Sequence, residues 1–79
     1  MQVLYFAALR DLAGTAEERV SVTTPVSVAA LLQLLEDRHQ QLRGRFGSVR
    51  VAVNEEFAEL STTLHGGEVV ALIPPVSGG

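Results

Sequence analysis

A chain of 79 residues with no cysteine forms one domain, near the lower size limit, whose core must hold without disulfides or thiolate metal sites. A hydrophobic share of 47% makes such a core feasible, with only 5% aromatics, so Val, Leu, Ile and Ala must build it. The net charge of −3 argues against nucleic acid as the main partner. No apolar run approaches the roughly 18 residues that span a bilayer, and no basic lead precedes an apolar stretch, so a soluble cytoplasmic protein is expected.

Met1 to Ala7 alternates in β-prone residues, with Val3 and Tyr5 on one face and Leu4 and Phe6 on the other. Ala8 to Ala13 suits one short helical stretch that Gly14 stops. Glu18 to Thr23 is expected as a second strand, Val20 and Val22 inward, closed by Pro25, which has no N–H to give a ladder. Ser27 is placed to cap the next segment, because its hydroxyl can accept an orphan backbone N–H. Val28, Leu31, Leu32, Leu35 and Leu42 recur at helical spacing, which predicts one long helix of about 15 residues ending before Gly44. Val49, Val51 and Val53 then alternate with Arg50 and Ala52 in a strand that turns at Asn54. Phe57 to Ser61 is a short strand or an irregular crossing. Leu64-His65-Gly66-Gly67 is a turn, its glycines permitting positive φ, and Val69 to Ile73 is a last strand, apolar at every position.

The order β-β-α-β-(β)-β with one long helix predicts an α+β fold, a small mixed sheet with that helix across one face. Order and length fit the β-grasp, or ubiquitin-like, fold for residues 1–73, followed by a tail of residues 74–79. A single helix covers one side of such a sheet, yet the first and last strands are apolar on both. The uncovered face, carrying Phe6, Phe57 and Ile73, is expected to meet a protein partner, unless the loop from Phe57 to Leu64 folds over it.

The tail reads Pro74-Pro75-Val76-Ser77-Gly78-Gly79. Two prolines remove backbone donors and fix φ, so the strand stops and the chain leaves stiffly. Six extended residues reach roughly 20 Å. The glycines cost order and supply no packing, but they make a backbone thin enough to thread a narrow tunnel in another protein. A terminal carboxylate becomes reactive when AMP is transferred to it from ATP. A sulfide or persulfide can then displace AMP and leave a thiocarboxylate on Gly79, a soft nucleophile on a tether.

Other signals are bland. His39 and His65 stand far apart with no cysteine to complete a metal site. Glu17-Glu18 and Glu55-Glu56 are expected to be solvated pairs in turns, and Arg43, Arg45 and Arg50 a solvated rim. No glycine-rich phosphate loop is present, so ATP must bind a partner. None of the six basic residues is lysine, which leaves no side-chain amine to trap an activated C-terminus; an arginine-biased composition explains this equally well.

Three segments carry a resemblance that spans nearly the whole chain. They are Val3-Leu4-Tyr5-Phe6-Ala7 with Leu9-Arg10-Asp11-Leu12-Ala13-Gly14-Thr15, then Val51-Ala52-Val53-Asn54, then Val70-Ala71-Leu72-Ile73 with the Pro-Pro-Val-Ser-Gly-Gly ending. In these the chain resembles the small subunits of molybdopterin synthase, the MoaD family. Thiamine-pathway carriers share the Gly-Gly end but usually lack the Pro-Pro approach. The resemblance implies that a MoeB-type enzyme adenylates Gly79 and that a sulfurtransferase step yields the thiocarboxylate. It implies that Pro75, Val76, Ser77 and Gly78 thread a MoaE-type large subunit, in a heterotetramer where sulfur passes to cyclic pyranopterin monophosphate. The large subunit would supply the catalytic groups. The carrier would be non-catalytic and hold no stable cofactor, only a transient C-terminal AMP. Phe6, Phe57 and Ile73 match apolar contact positions of the family and Arg10 a polar one; Gly67 stands where the family's turn often has Asp. Sulfur delivery to thiazole or to tRNA, conjugation to lysines of other proteins, and a docking module with an idle tail are the alternatives.

Overall fold

The computed structural model describes residues 1–75, so the roles expected of Val76, Ser77, Gly78 and Gly79 fall outside the described residues. The elements are β1 (Gln2–Tyr5), α1 (Ala8–Ala13), β2 (Glu17–Arg19), β3 (Val26–Ser27), α2 (Val28–Arg38), a 3-10 turn (Gln40–Leu42), β4 (Arg50–Val53), β5 (Glu56–Ala58), β6 (Thr63–Leu64) and β7 (Val69–Ile73). Five of the strands form one sheet in the order β2-β1-β7-β4-β5. β1 and β7 run parallel at its centre, and the other pairs are antiparallel. This is the β-grasp arrangement expected. Among the described residues no helix is long and apolar enough to cross a membrane.

Strand alternation decides which side of the sheet each residue serves. Val3, Tyr5, Val51, Val70 and Leu72 face α2, whose Val28, Leu31, Leu32 and Leu35 close the core over them. α1 contributes Leu9 from the edge, and Gly14 ends it in the left-handed conformation, φ 78°, with its N–H donating to the Arg10 carbonyl. Ser27 caps α2 as expected, its Oγ accepting the Ala30 N–H at 3.1 Å.

α2 is shorter than its periodicity suggests. It ends at Arg38, where His39 turns to φ −124° and ψ 101°, and the 3-10 turn then carries Leu42 fully into the core. The break coincides with a tertiary contact: the non-helical His39 places its imidazole 2.7 Å from Glu18. The second strand is also shorter, closing at Arg19, although Val20 stays fully buried and its N–H donates to the Met1 carbonyl at 2.9 Å.

Leu64 belongs to a strand rather than to the turn. β6 pairs with β3 in a two-stranded ribbon at the entrance to α2, burying Leu64 completely. The turn proper is His65–Gly67, with Gly66 and Gly67 at φ 105° and 85°. Glu68 fastens it by accepting the His65 and Gly66 N–H groups at 2.7 and 2.8 Å. The segment after β5 does not fold over the open face. The carbonyls of Leu60 and Thr62 accept the N–H groups of Ala29 and Val28, which ties this loop to the start of α2 on the covered side.

Candidate docking face and C-terminal exit

The uncovered side of the sheet is set by the same registers. Leu4, Ala71, Ala52 and Phe57 form one row across β1, β7, β4 and β5. Arg50 pairs with Ile73 in the next row, towards the end of β7. Phe57 is 62% exposed and Phe6 46%, while Ile73 is half-buried. Phe6 continues β1 past Tyr5, its N–H donating to the Leu72 carbonyl at 3.3 Å, and so stands beside Ile73. The three apolar residues expected on this face are therefore all on it.

Arg10 is exposed on α1, whose first N–H groups hang from the Phe6 and Ala7 carbonyls, so it sits one turn from Phe6. Between them Ala7 adopts φ 51° and ψ −127°, a region that side-chain-bearing residues rarely occupy and that costs on the order of 1–3 kcal/mol. That strained residue makes the sharp turn from β1 into α1. The chain leaves the sheet at Pro74, half-buried, and Pro75, exposed. Its point of departure is flanked by Phe6 on β1 and Arg50 on β4.

Arg50 corrects the expectation of a solvated rim. It is exposed, but it lies on the open face with its guanidinium carbon 4.0 Å from the centroid of the Phe57 ring. Arg43 and Arg45, in contrast, are exposed on the connection after α2. The alternation of β4 already put Arg50 on the face of Ala52; what only the fold supplies is the β4–β5 register that slides Phe57 beneath it.

Glu18 is a second correction. It is not a solvated turn residue but faces the core from β2, its Oε1 accepting the Tyr5 hydroxyl at 2.6 Å and lying 2.7 Å from Nε2 of His39. Arg38 approaches its other oxygen at 3.4 Å. The inward parity of Val20 and Val22 pointed to this, since Glu18 shares it. Burial pushes the Glu18 carboxyl up, but the hydrogen bonds from Tyr5, His39 and Arg38 outweigh that and hold it below its ordinary 4.5. Burial first, and then the Glu18 hydrogen bond and charge, push the Tyr5 phenol well above its ordinary 10.0.

The two shifts act at opposite ends of the pH scale. With a lowered folded value, Glu18 contributes stability that is present above pH 4.5 and is lost as pH falls through the folded value. With a raised folded value, Tyr5 contributes stability that is present below pH 10 and is lost as pH rises beyond it, where the unfolded phenol ionises first. Urea midpoints measured across pH should therefore fall at both extremes, and Glu18→Gln should flatten the acid limb. An acid limb unchanged in that variant would contradict this account.

The face as a whole is suited to binding: an apolar strip to bury, strained and ringed residues that fix its shape, and a chain departing from its edge. The ThiS family model matches residues 3–79. The molybdopterin synthase sulfur carrier subunit of Mycobacterium tuberculosis is 40% identical over 80 residues, covering 100% of this chain and 96% of that one. The crystal structure of small archaeal modifier protein 1 from Haloferax volcanii is similar with a TM-score of 0.86 and 30% identity, over 95% of each chain. A chain in the protein–protein complex of subunits 1 and 2 of molybdopterin-converting factor from Helicobacter pylori has the same fold, with a TM-score of 0.69 and 23% identity over 99% of this chain and 96% of that one. A family match that runs through the last glycine, together with a relative at 40% identity over the full length, settles the kinship: the chain belongs to the ThiS family, in its MoaD group of molybdopterin synthase small subunits.

Proposed function

We propose that the chain is the sulfur carrier subunit of a cytoplasmic molybdopterin synthase. Residues 1–73 dock and residues 74–79 deliver. The Gly79 carboxylate attacks ATP on a MoeB-type enzyme, giving an acyl-adenylate and pyrophosphate. The outer sulfur of a sulfurtransferase persulfide then displaces AMP to give an acyl disulfide. A second thiol cleaves its S–S bond, leaving a disulfide on the sulfurtransferase side and a thiocarboxylate on Gly79. Pro75, Val76, Ser77 and Gly78 carry that sulfur into a MoaE-type large subunit, within a heterotetramer, where it passes to cyclic pyranopterin monophosphate. Catalytic groups belong to the large subunit, and the carrier holds no cofactor beyond the transient AMP.

The observation that supports this most is the placement of the open apolar face beside the root of the tail. Phe6 and Ile73 border the point where the chain departs, so a protein seated on the face also receives whatever Gly79 carries. The H. pylori structure, named as a complex of subunits 1 and 2, fits a carrier that works with a protein partner. Intact-mass measurement after incubation with activating enzyme, ATP and a sulfur donor tests it. One oxygen should be replaced by sulfur, and fragmentation should place the change at Gly79; an unchanged mass would contradict the proposal.

The similarity to a small archaeal modifier supports a second reading, in which the activated C-terminus is joined to lysine amines of other proteins. Lysine-linked adducts in place of the thiocarboxylate would favour it.

A further inference from the structure

Arg50 stands beside Ile73 at the exit end of the docking face. One side of its guanidinium is taken by the Phe57 ring, 4.0 Å away. A guanidinium held over a ring is attracted to it, is restricted in orientation, and keeps its N–H donors for another acceptor. Within the described residues no carboxylate comes within ion-pair distance of it; the ion pairs formed are Arg38–Glu18 and His39–Glu18. Glu59, which the β4–β5 register would set opposite Arg50, lines the same shallow groove but departs from the sheet, its N–H donating to Thr62 Oγ1 at 3.0 Å.

The charges of the face point the same way. By register Arg19 and Arg50 lie on it with Glu17, which already accepts from Gln2 Nε2 at 2.9 Å, while Glu59 lines the groove beside Arg50 without pairing to it. A chain of net charge −3 thus still presents two guanidinium groups on its open face. If a purely apolar surface covered this face, it would bury the guanidinium with donors unpaired, which opposes binding. The complementary surface must bring an acceptor.

We propose that Arg50 is a specificity-determining residue of the docking face, receiving an Asp or Glu side chain of the partner protein in a charge-assisted, two-point hydrogen bond. Phe57 is the platform that aims it. The pair forms at the edge where the tail departs, so it selects partners that carry an acid beside the tunnel mouth and orients the carrier as it docks. The inference rests on the face being the docking surface of the proposed carrier.

The test measures association of the full-length chain with its molybdopterin synthase large subunit by titration calorimetry at several salt concentrations. Arg50→Gln should weaken binding about tenfold and Arg50→Glu about a hundredfold, both with a flattened salt dependence. Arg50→Lys should keep the salt dependence while recovering only part of the affinity. Phe57→Ala should weaken binding with the salt dependence in place. Wild-type affinity in Arg50→Glu would overturn the assignment, and so would lost affinity with an unchanged salt dependence, since Arg50 would then only shield Phe57. Weakened Phe57→Ala beside unaffected Arg50→Glu removes Arg50 alone, whereas no binding by the wild type removes the docking face and Arg50 with it.

Discussion

Deleting Gly79 should reduce sulfur transfer at least about a hundredfold, to background, while the folded body and its affinity for the large subunit stay close to wild type. The argument is one of reach. Each extended residue spans about 3.5 Å, and a reacting atom misplaced by 1 Å already costs about a hundredfold in rate. A carboxylate on Gly78 would stop short of the site by several times that distance. Stability should change by no more than about 0.5 kcal/mol, since β7 closes the sheet at Ile73 and the core lies entirely before it. Single-turnover pterin conversion and urea unfolding, run on the same preparation, separate the two effects. Retained conversion in the shortened chain would contradict the proposal.

Leu72→Ala should do the reverse. Leu72 is fully buried in the strand that β1 and β4 enclose, so no edge can collapse into the space it leaves. Truncations of this type cost about 2–5 kcal/mol, against a total stability of roughly 4–12 kcal/mol for a domain this size. The melting temperature should fall by at least about 10 °C. Phe57→Ala provides the contrast, because its ring is mostly exposed and its loss should barely move the melting temperature. Equal thermal losses in the two variants would mean that the open face carries structural weight.

Most of this fold could be read from strand alternation. Val3 and Tyr5 against Leu4 and Phe6, and the unbroken apolar run of β7, identified both the core and the face left open. What could not be read depended on contacts distant in the chain. Leu42 keeps helical phase with Leu35, so periodicity cannot reveal the break at His39, whose ring meets Glu18 from 21 positions away. The β3–β6 ribbon is two residues wide on each side, too short for any periodic signal. Glu18 is different: it shares the inward parity of Val20 and Val22 while its neighbour Glu17 faces solvent, so the two adjacent carboxylates have opposite environments. The stacking of Arg50 on Phe57 needed a register that neither β4 nor β5 encodes alone.

The measurement that bears most directly on the account follows the sulfur atom itself. Carrier loaded with radiolabelled sulfur as its C-terminal thiocarboxylate is mixed with large subunit and cyclic pyranopterin monophosphate in one turnover. The label should leave the carrier and appear in the pterin dithiolene, with the carrier recovered as an ordinary carboxylate ending in Gly79. Dithiolene formed without label, or label retained on the carrier while product accumulates, would show that the sulfur comes from somewhere else.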